Sequence, residues 1–268
     1  MERLIGRKHL FLVIFLCLVI VSAGCKVVGL PDINPPKPGE NNSDDDPVED
    51  PNLELGSLIG TVQDAALPEA KFQSGQAAVN GQLIQIKNGT YKFDNIPNGT
   101  YKLSITKQWY RPMEIQVLVT GPTMQNVHMT PSLTLAELDL LARLVYAEAK
   151  GEIYQGQVAV ASTILNRVLD SRYPNTVSGV INQVIVQNGI RYYQYEPVKN
   201  GSINIPANQS AKNAVRHALA GWDPTMGATG FFAHAKVPQQ SNGKVPWVWQ
   251  QWNQDPYKIR IGNHSFFR

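Results

Sequence analysis

Leu144-Val145-Tyr146-Ala147-Glu148-Ala149-Lys150-Gly151-Glu152 sets two carboxylates on either side of a glycine, and the segments flanking it decide what fold holds them. Upstream, Leu138, Leu141, Ala142 and Val145 recur at three- and four-residue steps, the period of a helix with one buried face. Thr134, with Glu137 three residues later, gives that helix a capping-box start, and Gly151 suits its end. Downstream, Val158, Ala161, Ile164, Leu165 and Val168 predict a second helix. Glu148 therefore falls near a helix C-terminus and Glu152 near the N-terminus of the next. The helix dipoles act on them in opposite directions, disfavouring charge on Glu148 and favouring it on Glu152. A carboxylic acid that keeps its proton near neutral pH, close to a charged partner, is what glycosidic bond cleavage requires.

Working back toward the N-terminus, residues 55–131 read as short strands separated by turn residues, which predicts a small antiparallel, all-β sandwich. Asn88-Gly89-Thr90-Tyr91-Lys92 recurs as Asn98-Gly99-Thr100-Tyr101-Lys102. Asn-Gly favours tight turns with positive φ, and each copy opens an alternating strand. With Phe93-Asp94-Asn95-Ile96-Pro97 between the copies, the segment resembles the carboxypeptidase-regulatory or transthyretin-like sandwich modules of secreted bacterial proteins. It carries no catalytic constellation and reads as a spacer. Trp109 and Tyr110 either present a carbohydrate-binding platform or cap the sandwich core.

The first residues carry a basic segment (Arg3, Arg7, Lys8) and an apolar run from Leu10 to Val21, the pattern of a secretory signal. The run ends at Ser22-Ala23-Gly24-Cys25, which resembles the bacterial lipoprotein box. That resemblance implies a signal peptide over residues 1–24 and lipidation of Cys25. The chain would then be exported and lipid-anchored to the outer face of the membrane. An ordinary signal peptide or a retained anchor are the alternatives. Cys17 lies inside the apolar run, so no cysteine remains for a disulfide or a cysteine-type zinc site. Residues 25–54 are rich in Pro, Asn and Asp, cannot bury apolar surface, and read as an extended tether.

From 132 to 268 the pattern turns to helices and aromatic-rich loops, so the chain as a whole reads as α+β. Counted from Leu133, thirteen Lys and Arg stand against eight Asp and Glu. For an exported protein that surplus suits the polyanionic cell wall. Nucleic acid is disfavoured as a partner, since no basic helix is present. No HExxH pattern occurs, His234 and His264 read as structural histidines or else as metal ligands or bases, and the serine elbow Gly-Xaa-Ser-Xaa-Gly is absent. No metal and no cofactor are expected.

Around the opening stretch stand Gly156-Gln157-Val158-Ala159-Val160-Ala161, Leu165-Asn166-Arg167-Val168 and Tyr173-Pro174-Asn175-Thr176-Val177-Ser178-Gly179-Val180-Ile181. Gln194-Tyr195-Glu196-Pro197-Val198-Lys199-Asn200-Gly201, Gly221-Trp222-Asp223-Pro224-Thr225 and Ile261-Gly262-Asn263-His264-Ser265-Phe266 follow. In this order and spacing they resemble the cell wall hydrolase family typified by the spore-cortex-lytic enzyme SleB. The resemblance implies a lysozyme-like α+β catalytic domain over 132–268. It implies cleavage after N-acetylmuramic acid in the glycan strands of peptidoglycan, by lytic transglycosylase chemistry that leaves a 1,6-anhydro end.

Carried over, the family's catalytic glutamate falls on Glu148, as general acid and then as base on the muramic 6-hydroxyl. Glu152 either supports it, by orienting substrate or by like-charge proximity, or simply starts the second helix. Tyr193 and Tyr195, with Tyr192, are candidates for stacking on sugars, and Asn166 and Asn200 for hydrogen bonding to them. The family usually has Gln-Phe where Gln194-Tyr195 stands. The chain also departs from it at Phe232-Ala233-His234, beside the polar loop 235–245, which leaves substrate preference open there. Trp247, Trp249 and Trp252 read as core or cleft wall. Three other functions remain in view: a muramidase using water as acceptor, a non-catalytic wall-binding lipoprotein, and a metal-dependent wall amidase. Cortex or vegetative wall as substrate, and control by a partner lipoprotein, are not legible.

Overall fold

A computed structural model describes residues 54–268. The signal segment, Cys25 and nearly all of the tether lie outside the described residues. The described residues, 54–268, fall in one compact unit.

The first half is β-structure: β1 (Leu55–Asp64), β2 (Gln76–Val79), β3 (Gln82–Gln85), β4 (Thr90–Pro97), β5 (Gly99–Thr106), β6 (Met113–Val119), β7 (Pro122–Met124) and β8 (Val127–Met129). One sheet runs β4-β1-β7, with β8 also paired to β1; the other runs β3-β2-β5-β6. Along β1 the side chains alternate, burying Leu58, Val62 and Asp64 on one face. They meet Leu103, Ile105 and Val117 of the facing sheet in a shared core. The expectation of a wholly antiparallel sandwich needs correction at one edge. β7 and β8 pair with β1 in parallel, because the chain returns from β6 to the other sheet and runs alongside β1.

The two Asn-Gly copies also differ. Asn88 and Gly89 both take positive φ (51° and 71°) in the tight turn between β3 and β4. Gly99 does not, since β5 leaves for the opposite sheet. There Asn98 instead accepts a hydrogen bond from the Gly121 amide (2.8 Å). Tyr110 is buried and Trp109 packs against the core, as core caps rather than a platform.

The second half contains α1 (Leu135–Ala149), α2 (Tyr154–Leu169), α3 (Val177–Ile181), β9 (Val184–Gln187), β10 (Ile190–Tyr193), α4 (Glu196–Asn200), α5 (Gln209–Leu219), β11 (Gly230–Ala233), α6 (Trp247–Gln254), β12 (Ile259–Ile261) and β13 (His264–Phe267). The capping box forms: the Glu137 amide donates to Thr134 Oγ1 (3.2 Å), and the Thr134 amide donates to Glu137 Oε2 (2.9 Å). α2 is buried nearly all round, which only a central helix tolerates. Around it lie α1, α3, α5 and the three-stranded sheet β11-β13-β12. The small side chains of Gly156, Ala159 and Ala161 let these neighbours approach.

The sandwich and the helices share packing. Asp64, fully buried at the end of β1, accepts from Arg216 Nη1 of α5 (2.7 Å), from the Tyr110 hydroxyl (3.0 Å) and from the amides of Ala66 and Leu67. The Gln73 amide donates to the Ala220 carbonyl at the end of α5 (3.0 Å). Residues 131–132 thus mark a change of secondary structure without a gap in packing.

Candidate active site

α1 ends at Ala149, so Glu148 sits in its last turn, with no basic residue in that turn to favour a charge. Gly151 follows in the turn but does not adopt the left-handed conformation expected of a terminating glycine. The Glu148 side chain is part-buried and faces a cleft of about 490 Å³. One wall is the segment Gln194 to Ser202 with α4, and the other is β11, Lys236 and His264.

Burial pushes the Glu148 carboxyl from about 4.5 up to about 7; the negative charge of Glu196 adds to this and the positive charge of Lys236 opposes it. A carboxyl with that affinity is half protonated at neutral pH, as a general acid must be. Beneath it lies a rigid support. Arg167 of α2 is buried, donates to the Thr229 carbonyl and gives an Nη1 hydrogen bond to the Tyr195 hydroxyl (2.8 Å). Its guanidinium stands 4.9 Å from the Tyr173 ring and 5.3 Å from the Tyr195 ring. Tyr195, Phe231 and His264 follow one another along the cleft, the first pair tilted and the second perpendicular.

Of the residues singled out from sequence, the structure brings Glu148, Tyr195 and Asn200 together in this cleft. Three others lie elsewhere. Glu152 precedes α2 without capping it: Ile153 holds the cap position and makes no side-chain cap bond. Its carboxylate instead accepts from the Asn263 amide (2.8 Å) and Asn263 Nδ2 (3.1 Å) in the turn between β12 and β13. The charge that acts on Glu148 is that of Glu196, not of Glu152. Asn166 points away from the cleft, donating to Asp223 Oδ2 (2.9 Å) and the Ala228 carbonyl (3.0 Å), so it holds α2 to the turn before β11. Tyr193 lies with Tyr192 on the exposed β9–β10 hairpin, which continues into Tyr195 but does not line the cleft.

The sequence reading gave no role to Glu196 or Lys236. Glu196 stood inside a quoted motif, next to Tyr195, and that adjacency was its only signal. Lys236 had none. His264 is buried, with Nδ1 3.7 Å from Glu152 Oε1 and no hydrogen-bond partner for that nitrogen among the described residues. It is therefore less satisfied than a structural histidine should be. Burial lowers its pKa, the neighbouring Glu152 acting against that, which favours the neutral ring. His234 does pair, through Nδ1 and Ser265 Oγ at 2.6 Å. Among the described residues no three of His, Cys, Asp and Glu gather as a metal-ligating group.

Residues 151–267 match the Cell Wall Hydrolase family model. The spore cortex-lytic enzyme of Bacillus cereus is 40% identical over 130 residues, covering 48% of this chain and 43% of that protein. The chain thus spans less than half the length of that relative. The cell wall hydrolase CwlJ of Bacillus subtilis (strain 168) is 30% identical over 138 residues, covering 50% of this chain and 87% of CwlJ. Among solved structures, the catalytic domain of the germination-specific lytic transglycosylase SleB from Bacillus anthracis is 36% identical. That match covers 51% of this chain and 98% of the SleB domain, with a TM-score of 0.42. With nearly the whole of CwlJ covered at that identity, and the family model matched from Gly151 to Phe267, the chain belongs to the cell wall hydrolase family.

Proposed function

We propose that the chain is a peptidoglycan-degrading glycosidase, a lytic transglycosylase acting after N-acetylmuramic acid, with Glu148 as its acid and base. The observation that carries this reading is one carboxyl, in a cleft, whose affinity for its proton is raised to about 7 by burial. Protonated Glu148 gives its proton to the glycosidic oxygen as the C1–O bond breaks and that oxygen leaves as a hydroxyl. The muramic 6-hydroxyl oxygen then bonds to C1, and its proton passes to the Glu148 carboxylate, which restores the acid. Lys236 favours the carboxylate formed midway, and Glu196 favours its reprotonation.

Relatives named as spore cortex-lytic enzymes make spore cortex the substrate to try first, with vegetative wall beside it. The N-terminal reading adds attachment to the outer face of the membrane through lipidated Cys25. Labelled palmitate in the wild-type chain, and its loss in Cys25→Ser, tests that anchor. For the chemistry, Glu148→Gln abolishes turnover of purified peptidoglycan while leaving the circular dichroism spectrum unchanged. Full activity in that variant sinks the assignment.

A second reading has one observation behind it. Glu196 is a second carboxylate on the same cleft, as a water-using muramidase needs. Mass analysis of the products separates the two: anhydro-muramic ends mean transglycosylation, and reducing ends mean hydrolysis.

A further inference from the structure

Just past the end of β11, which borders the cleft, lies a second groove of about 570 Å³ bounded by His234, Gln239, Gln240, Trp249, Trp252 and Asn253. We propose that this groove is a saccharide subsite, holding sugar residues of the glycan chain at a distance from the bond that is cut. The proposal rests on the reading of the Glu148 cleft as glycan-cleaving, and adds to it where the chain continues.

Strand geometry places the two sites on either side of the edge strand β11. Successive side chains of β11 point to opposite faces. Phe231 packs on His264 in the cleft, with ring centroids 5.4 Å apart. Phe232 and His234 pack on the Trp249 ring, at 4.9 and 4.8 Å, and His234 also meets Trp252 at 5.7 Å. Phe232 and Ala233 still border the cleft, while His234 borders the groove. The two linings are consecutive along the chain at the edge strand of this sheet, so a glycan chain leaving the cleft would reach the groove by passing around that edge.

The lining then selects the class of ligand. The cleft carries Glu148, Glu196 and Lys236, whereas the groove carries no Asp, Glu, Lys or Arg. It offers indole rings and three side-chain amides. Aromatic rings present apolar surface to sugar rings, and each amide can both donate to and accept from hydroxyl and N-acetyl groups. The Trp252 indole N–H is buried without an acceptor among the described residues, an arrangement proteins seldom leave unanswered.

The groove is also built in advance. Trp249 Nε1 donates to the Val237 carbonyl (3.0 Å) and Gln250 Nε2 to the Val245 carbonyl (2.7 Å), pinning the loop to α6. The tip of the loop is a tight Ser241–Lys244 turn with Asn242 and Gly243 at positive φ. A preformed site avoids the entropy cost of ordering a loop around its ligand.

The test uses the full chain carrying Glu148→Gln, titrated calorimetrically with N-acetylglucosamine oligomers of three and six units. The hexamer is expected to bind at least about ten-fold tighter than the trimer. Trp252→Ala should remove that gain and leave trimer affinity as it was. Asn253→Ala, at an exposed position that the fold does not need, should reduce the gain by about three-fold or more. Equal affinity for the two oligomers in the parent chain overturns the proposal, as does a gain that survives in Asn253→Ala and in a folded Trp252→Ala. Competition for the groove by a free stem peptide, but not by the sugars, overturns it too. Turnover of purified peptidoglycan by the wild-type chain decides the cleft reading separately, so a silent groove with an active cleft defeats this inference alone.

Discussion

In the last turn of α1, Glu148 holds a carboxyl whose proton affinity burial raises to about 7. The capping box, the apolar period and the turn at Gly151 lie within twenty residues, so the position of Glu148 at a helix end was readable without tertiary knowledge. What surrounds it was not readable, because Glu196 and Lys236 arrive from distant segments. Their charges make distinct predictions. The acid form of Glu148 is lost as pH rises through about 7, so kcat/KM should fall above that pH. Glu196→Gln removes a charge that raises this value, so the alkaline limb should move to lower pH. Glu152→Gln should leave it in place. A pH–rate profile of the three proteins checks all of this. The same carboxyl has a cost in stability. Its folded value stands above the unfolded one, so the folded state binds the extra proton between about 4.5 and about 7, and stability falls as pH rises through that window. Glu148→Gln has no charge to bury. It should unfold like wild type at pH 4 and be more stable at pH 8, by on the order of 3 kcal/mol as an upper figure. Urea melts at the two pH values measure the difference.

At the scale of elements, periodicity located strands and helices well and connections poorly. β5 and β6 fall where alternation put them, since both faces of a strand are written in its own residues. The second Asn-Gly copy misled because a turn dipeptide records a local preference, whereas the sheet that the next strand joins is a tertiary choice. Glu152 misled likewise: its partner Asn263 lies 111 residues away, on the β12–β13 turn. That bond staples the α1–α2 turn to the sheet that carries His264. Gly262 completes it, with φ at 58° and no room for a Cβ beside the Glu152 carboxylate. Glu152→Ala leaves the Asn263 amide without this acceptor and should cost about 1–3 kcal/mol, whereas Glu152→Gln, which can still accept, should cost less. Tyr195 joins elements in the same way. Tyr195→Phe keeps the ring but removes the acceptor of a charged Arg167 donor. About 1.5–3 kcal/mol should be lost in a denaturant melt.

For the whole molecule, the joint between sandwich and helices was beyond sequence reading, since nothing in Asp64 or Arg216 alone announces a partner 152 residues away. Asp64 is fully buried and Arg216 largely so, and the hydrogen bonds to that carboxylate come from a loop amide pair, a tyrosine and an arginine that reaches both oxygens. A buried pair of this kind contributes little net stability compared with an apolar replacement. Losing one partner is severe, because a bare charge is left behind. Arg216→Ala should therefore destabilise residues 54–268 by about 3 kcal/mol in a single transition that melts strands and helices together. Adding Asp64→Asn to Arg216→Ala should recover part of the loss, because the amide oxygen still accepts from Ala66 and Leu67 and no charge remains to be buried. The two substitutions are then non-additive, as contacting residues should be. If the helices instead melt separately from the sandwich, with Arg216→Ala near neutral, the joint is a passive contact. A coupled loss means that the sandwich holds α5, and through it α1 and α2, in the arrangement that sets Glu148 at the cleft.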